Sequence, residues 1–354
     1  MSNNAHLSRN SAGRASTTSA PAASLSLQTV GNLLIQPANA CLAEASTTPI
    51  AKMLFGSLWF EGELCLLFAD MNVGKSILAV QIAEAICRGC NIDQMKVEVP
   101  AQRVLYVDLE LSSKQFETRY SIRDGEYNTN HYTFSDNLLR AHLNYESEGT
   151  SEGSNPEREL ITSIERAVIE LNCNVIIIDN LTFLIHEAEK TKEALSLMKR
   201  LKALKEKYSL SVLVLGHTKK RFLQQPLTEN DLSGSKALMN LTDSSFAIGK
   251  SRKGEHVRYI KQMKERNTEK VYGTDNVISC RIQKTGSFLR FWLETNDSER
   301  NHLFEQDTHQ QREAVRKEAL RLTQQGLSRR QVSQATGISV GSVQNIVATS
   351  KTAK

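Results

Sequence analysis

Gly74, Lys75 and Ser76 close the stretch FADMNVGKS, residues 68–76. A glycine, a lysine and a hydroxyl in succession, between an apolar run and a helical pattern, are the parts of a loop that holds a polyphosphate. In such a loop the backbone of Ala69, Asp70, Met71, Asn72, Val73, Gly74, Lys75, Ser76 and Ile77 wraps the phosphates, and the helix dipole favours their charge. Lys75 is placed to reach the β- and γ-phosphates of ATP, and Ser76 to ligate Mg²⁺. The usual pattern has a first glycine where this chain has Ala69. Alanine serves there if its φ stays negative.

Three more groups fit that chemistry. The run NVIIIDN ends in Asp179, a carboxylate at a strand's end that can hold Mg²⁺ through water. VLYVDLELS offers Asp108 and Glu110, which share a face if the strand continues through both. One of them could orient water for attack on a γ-phosphate. VLVLGHTKK puts His217 at the tip of another strand, either as a hydrogen-bonded structural histidine or as a γ-phosphate sensor. Cysteine chemistry is weaker. The six cysteines are scattered, and the single CxxC, Cys87 to Cys90, lacks the second pair a zinc ribbon needs. It reads as a helix end stopped by Gly89.

The elements that must position these groups alternate. Apolar runs suited to buried strands (ELCLLFA, RVLYVDLE, NVIIIDN, SVLVLGH, SSFAIG, VRYIKQM) are separated by segments of helical spacing, such as SILAVQIAEAICRG and EALSLMKRLKALKEKY. That order predicts an α/β fold, a mostly parallel sheet flanked by helices. YESEGTSEGSNPE reads as a surface excursion, and CRIQKTGSFLRFWLE as a hairpin closing the domain near residue 294. The expected organisation is a flexible tail over 1–48, a core over 49–295, a polar linker over 296–310 and a small helical module over 311–354. No apolar run approaches the roughly 20 residues of a membrane helix, and the N-terminus has no compact apolar block to serve as a secretory signal. A cytoplasmic home is the expectation, with no membrane partner.

With these residues in place, the core resembles the RecA-like ATPases of the RepA and DnaB replicative helicase branch, relatives of RadA. The DnaB loop also carries alanine first. The resemblance gives Glu110 the place of the catalytic glutamate and Arg119 that of a downstream nucleotide-side arginine. DLSGSKALMNLTDSSFAI resembles the family's glycine-serine segment, followed here by the acidic Asp243. QMKERNT resembles its Lys-x-Arg-Asn element, which implies that Lys264 and Arg266 act on ATP bound by a neighbouring subunit, Arg266 as an arginine finger. A histidine at 217 sits closer to the RepA side. The resemblance implies a homo-oligomer, in the form of a ring, with ATP between subunits. The N-terminal helical domain of DnaB helicases has no counterpart.

Charge points to nucleic acid. From Gln311 to Lys354 there are eight Lys or Arg against two Glu, a surplus larger than the +5 of the whole chain. LTQQGLSRRQVSQATGISVGSVQNIV has helix-turn-helix spacing around Gly337, with Ser328 and Ser339 as caps. The second helix would start near Ser339, a DNA-binding candidate, with Gln344 and Asn345 on its outer face toward base edges, and Arg329 and Arg330 would contact phosphates. A helical pair used for protein contacts is the competing reading. Lys219, Lys220 and Arg221 follow the His217 strand, where the family's loops track single-stranded DNA; a solvated charge run is the alternative. LTFLIHEAEK, after Asp179, would be the other channel loop. The expected function is Mg²⁺-dependent ATP hydrolysis coupled to DNA, in a helicase of a plasmid, phage or other mobile element. The alternatives are an ATP-switched DNA-binding regulator and a RadA-like recombination mediator.

Overall fold

The computed structural model describes residues 27–125, 128–144, 156–180, 190–233, 236–305 and 309–352. The chain divides into two units, 1–50 and 51–354. In the first, β1 (Gln28–Val30) and β2 (Leu33–Ile35) pair antiparallel, and α1 (Ala38–Thr47) follows Pro37. Within the tail expected to be flexible over 1–48, residues 28–47 thus form a short hairpin and a helix. LLIQ is too short to display a pattern, yet Gly31 at a φ of +59° makes the hairpin turn.

The second unit opens with a small ribbon, β3 (Met53–Phe55) and β4 (Trp59–Phe60). The large sheet then takes β5 (Leu64–Ala69), followed by α2 (Lys75–Arg88), and β6 (Val104–Asp108), followed by α3 (Ser113–Arg119). A ribbon of β7 (Ser121–Asp124) and β8 (Asn128–His131) precedes β9 (Leu138–Ala141). Next come α4 (Pro156–Leu171), β10 (Val175–Asp179), α5 (Lys190–Tyr208), β11 (Ser211–His217), α6 (Lys236–Leu241) and β12 (Ser244–Lys250). β13 (Val257–Lys264), β14 (Val277–Thr285) and β15 (Phe288–Asp297) finish it.

Among the described residues these strands form one nine-stranded sheet in the order β15-β14-β13-β12-β5-β11-β10-β6-β9. From β12 to β9 neighbours run parallel; β13, β14 and β15 are antiparallel. This is an α/β core, a mostly parallel sheet flanked by helices, with an antiparallel edge. Side chains alternate between two apolar layers. Cys65, Leu67 and Ala69 of β5 pack with α2, whereas Leu64, Leu66 and Phe68 pack with α4, α5 and α6. β9 lies within a stretch too polar to announce a strand.

The stretch read as a linker over 296–310 is corrected over 297–305. Glu299 and His302 are fully buried. Glu299 Oε2 pairs with Lys261 Nζ at 2.5 Å, and Oε1 accepts from Leu227 N and Tyr259 Oη. His302 Nδ1 meets Ser251 Oγ at 2.8 Å. The Glu299 carboxylate, polar enough to suggest solvent, is satisfied inside the protein.

Three helices follow: α7 (His309–Gln324), α8 (Arg329–Thr336) and α9 (Val340–Thr352). They close on Ala319, Val332 and Val343. Ser328 caps α8 in a reciprocal pair with Gln331, and Gly337, at a φ of +72°, ends it. The Ser333 hydroxyl donates to Ile338 O and fixes the turn, and Ser339 Oγ accepts from Ser342 N at the start of α9. No helix among the described residues is long and apolar enough to cross a membrane.

Candidate active site

β5 carries the chain into the loop, and α2 carries it out. Ala69 ends β5 and is not among the residues of positive φ; the left-handed turns fall on Asn72 (φ +57°) and Gly74 (φ +108°). Alanine at the first position therefore costs no backbone strain. Gly74 is required twice. Its φ disfavours a side chain, and a Cβ would lie 2.8 Å from Ile282 Cδ1 and 2.9 Å from Phe291 Cζ. The β14–β15 hairpin is thus wedged against the loop. Gln81 of α2 holds the hairpin there, donating to Phe291 O at 2.9 Å and accepting from Phe291 N at 2.8 Å.

Lys75 is buried. Its Nζ donates to Ala69 O and Asp70 O, both at 3.0 Å, and contacts His217 Nδ1 at 3.0 Å. Burial pushes its pKa down to about 8, against the pull of Asp179, Glu110 and Asp70. β10 lies one strand beyond β11 and brings Asp179 to the same edge. Asp179 is fully buried, and burial lifts its pKa to about 6 although Ser76 and Tyr106 pull it down. Tyr106 Oη donates to Asp179 Oδ2 at 2.7 Å. Asp179 Oδ1 is buried with no hydrogen-bond partner among the described residues. An orphaned carboxylate oxygen next to the Ser76 hydroxyl is an oxygen donor set that suits Mg²⁺.

The pair Asp108 and Glu110 behaves differently from the expectation. β6 ends at Asp108 and the backbone turns. Asp108 Oδ1 accepts from Glu110 N and Leu111 N, while Oδ2 is held by Arg140 Nε at 2.9 Å. Asp108 is committed to structure, and the two carboxylates do not share a strand face. The turn sends Glu110 to Asn180, whose Nδ2 donates to Glu110 Oε2 at 2.7 Å and lies 3.2 Å from His217 Nε2. Lys75, His217, Asn180 and Glu110 thus form one chain of contacts. Asn180, Tyr106 and Arg140 were not legible as site residues; only the position of Asn180, directly after Asp179, hinted at it. Burial and the Lys75 charge hold His217 below the ordinary histidine range.

Arg119 ends α3, and its Nη1 is buried without a partner among the described residues. The Lys-x-Arg-Asn element lies elsewhere. Lys264 Nζ donates to Met239 O at 2.7 Å and Thr242 O at 2.6 Å, and Asn267 Nδ2 donates to Glu63 Oε1. Arg266 Nη1 meets Asp243 Oδ1 at 3.1 Å with its side chain half exposed. Asp243 accepts from Leu64 N, at the start of β5. Five residues of strand, about 16 Å, separate that end from Ala69. Lys264 and Arg266 are therefore at the edge of the sheet opposite their own phosphate loop.

Lys219 and Lys220 are exposed beyond β11. Arg221 is a correction. Its side chain is only 7% exposed, its Nη2 donates to Gln225 O, and its Nε lies 3.8 Å from Asp231. A guanidinium spent on folding its own loop is not presented to DNA. Arg329, Arg330, Gln344 and Asn345 are exposed on α8 and α9. The segment 181–189 and residues 234–235 lie outside the described residues, so the second channel loop and the glycine-serine pair fall there. The CxxC does not converge, since Cys87 is buried and Cys90 exposed, and no metal-ligating cluster of His, Cys, Asp or Glu occurs among the described residues.

The family model described as AAA domain matches residues 35–221, more than half of the chain. The chain belongs to the AAA domain family. The match takes in the phosphate loop, Glu110, Asp179 and His217 of this AAA-domain protein and stops before Lys264 and Arg266. Its family makes it a P-loop ATPase. Among solved structures it is similar to a KaiC-like protein from Pyrococcus horikoshii OT3, at 11% identity and a TM-score of 0.46, over 69% of this chain and 100% of that one. No curated protein matches it.

Proposed function

We propose that this AAA-domain protein hydrolyses Mg-ATP between subunits of a homo-oligomer and couples hydrolysis to DNA, as a RepA- or DnaB-like helicase of a mobile element. One observation carries the reading: the phosphate loop and Glu110 lie at one edge of the sheet, and Arg266 at the other. A cation at the far edge is useless to its own nucleotide and suited to a neighbour's. Lys75 holds the β- and γ-phosphates. Ser76 and Asp179 are the residues that would hold Mg²⁺, which supplies charge neutralisation at the phosphates. Glu110 orients the attacking water. Arg119, whose Nη1 is buried without a partner among the described residues, would serve the nucleotide as the matching downstream arginine. The half-exposed Arg266, with Lys264 behind it, answers the charge that develops in the adjacent subunit.

The His217 ring supports a sensing role. The 2.7 Å contact with Glu110 marks the Asn180 atom as nitrogen, so the ring lies between two donors, the Lys75 ammonium and that amide. A neutral imidazole accepts at one nitrogen only. The remaining ring N–H faces no acceptor among the described residues, and a γ-phosphate oxygen would supply one. Asn180 passes that change to Glu110.

Lys219 and Lys220 are the channel-side cations, and the exposed Arg329, Arg330, Ser339, Gln344 and Asn345 of the helix-turn-helix would engage duplex DNA. These exposed residues also favour a second reading, an ATP-switched regulator bound at a specific site. ATPase rate with and without single-stranded DNA, mass in ATP, and strand displacement separate the readings. Stimulated turnover with displacement supports the helicase. Stimulation without displacement supports a RadA-like mediator. Specific duplex binding with a steep salt slope and negligible turnover supports the regulator.

A further inference from the structure

The phosphate loop of this chain carries a liability. Asp70, its second residue, places a carboxylate in a loop meant for a polyanion. The structure shows what offsets it. Lys250, the last residue of β12, puts Nζ 3.1 Å from Asp70 Oδ2. The other carboxylate oxygen accepts from Met71 N at 2.8 Å. Burial raises the Asp70 pKa, but Met71 and Lys250 outweigh it and hold the group ionised, below the usual carboxylate range. Lys250 is delivered by register. β12 runs parallel to β5 with Ile248 opposite Ala69, so the end of β12 overhangs the loop. Across the next ladder Lys250 faces Arg258 of β13. Arg258 Nε donates to Val73 O at 3.1 Å. One rung of the antiparallel edge therefore grips the loop at two places, by charge at Asp70 and by hydrogen bond at Val73.

We propose that Lys250 is a positioning residue for the nucleotide: by pairing with Asp70 it fixes that carboxylate and offsets a negative charge in the path of the triphosphate. The proposal rests on the ATP reading above. Its physical content is a linkage. Lys250 acts on nucleotide through Asp70, so its loss is felt only while the carboxylate remains. At an effective dielectric near 20, two unit charges on the order of 10 Å apart interact strongly enough to change affinity on the order of tenfold. The pair is partly exposed, so salt reduces the effect.

The test is Mg-dependent binding of a fluorescent ATP analogue to the full chain at low salt, with thermal melting to verify folding. Lys250→Gln is expected to weaken affinity on the order of tenfold, less at high salt. Lys250→Arg keeps the charge and is expected to bind like the wild type. The double variant Asp70→Asn with Lys250→Gln is expected to regain most of the loss, a coupling that a merely structural lysine would not produce. If Lys250→Gln binds as the wild type does, or if the double variant stays as weak as Lys250→Gln, the proposal is overturned. Wild-type protein that binds no nucleotide overturns the ATP reading and the proposal together, which separates the two failures.

Discussion

Asp179 and Lys75 are both pushed toward neutrality by burial, from opposite sides. Asp179 would have to be ionised to help hold Mg²⁺, and burial lifts its pKa to about 6. Lys75 must be charged to hold phosphate, and its pKa is about 8. As pH falls through 6, the Asp179 carboxylate takes up a proton and metal affinity declines. As pH rises through 8, free Lys75 loses its proton, and binding must take one back; affinity then weakens up to about tenfold per unit. The kcat/KM for ATP is accordingly expected to be bell-shaped with limbs near 6 and 8, because that ratio reports the free enzyme. A profile flat from 5.5 to 9 would contradict these assignments.

At the scale of elements, the loop is held from outside. The hairpin of β14 and β15 fills the space beside Gly74, so Gly74→Ala combines a disfavoured φ with a clash. A destabilisation of about 2–4 kcal/mol is expected in denaturant titration, with loss of nucleotide binding. The segment after β15 is a second anchor. It joins the residues that follow β11 to the chain leading into α7, through Glu299, Lys261 and Leu227. Glu299→Ala leaves the Lys261 ammonium buried without its carboxylate, a loss of about 3–5 kcal/mol. If Glu299→Ala melts like the wild type, 297–305 behaves as the solvated linker its composition suggested. Composition misled there because polar residues are read as exposed, whereas these satisfy one another.

At the scale of the molecule, the separation of Arg266 from its own loop is what the proposed site between subunits would explain. Arg266→Ala and Lys75→Ala proteins are each expected to be nearly inactive. Mixed assemblies should regain hydrolysis at interfaces that pair an intact loop with an intact finger. Absence of any recovery on mixing would rule out the shared site. Much of this was legible beforehand. The loop Ala69–Ser76, the strand ending at Asp179, the stop at Gly89 and the turn at Gly337 are local features, written in consecutive residues whose spacing and φ requirements fix a local conformation. Other contacts depended on partners remote in sequence. Lys250 meets Asp70 across 180 residues. Asp108 was free on paper to be catalytic until Arg140 claimed it, and Arg221 was a basic surface residue until its own loop folded around it. Sequence by itself determined the alternating α/β core and the strand-loop-helix that carries Gly74, Lys75 and Ser76. Only the tertiary structure decided which of them meet, because strand order and register, rather than distance along the chain, set which side chains share an edge of the sheet.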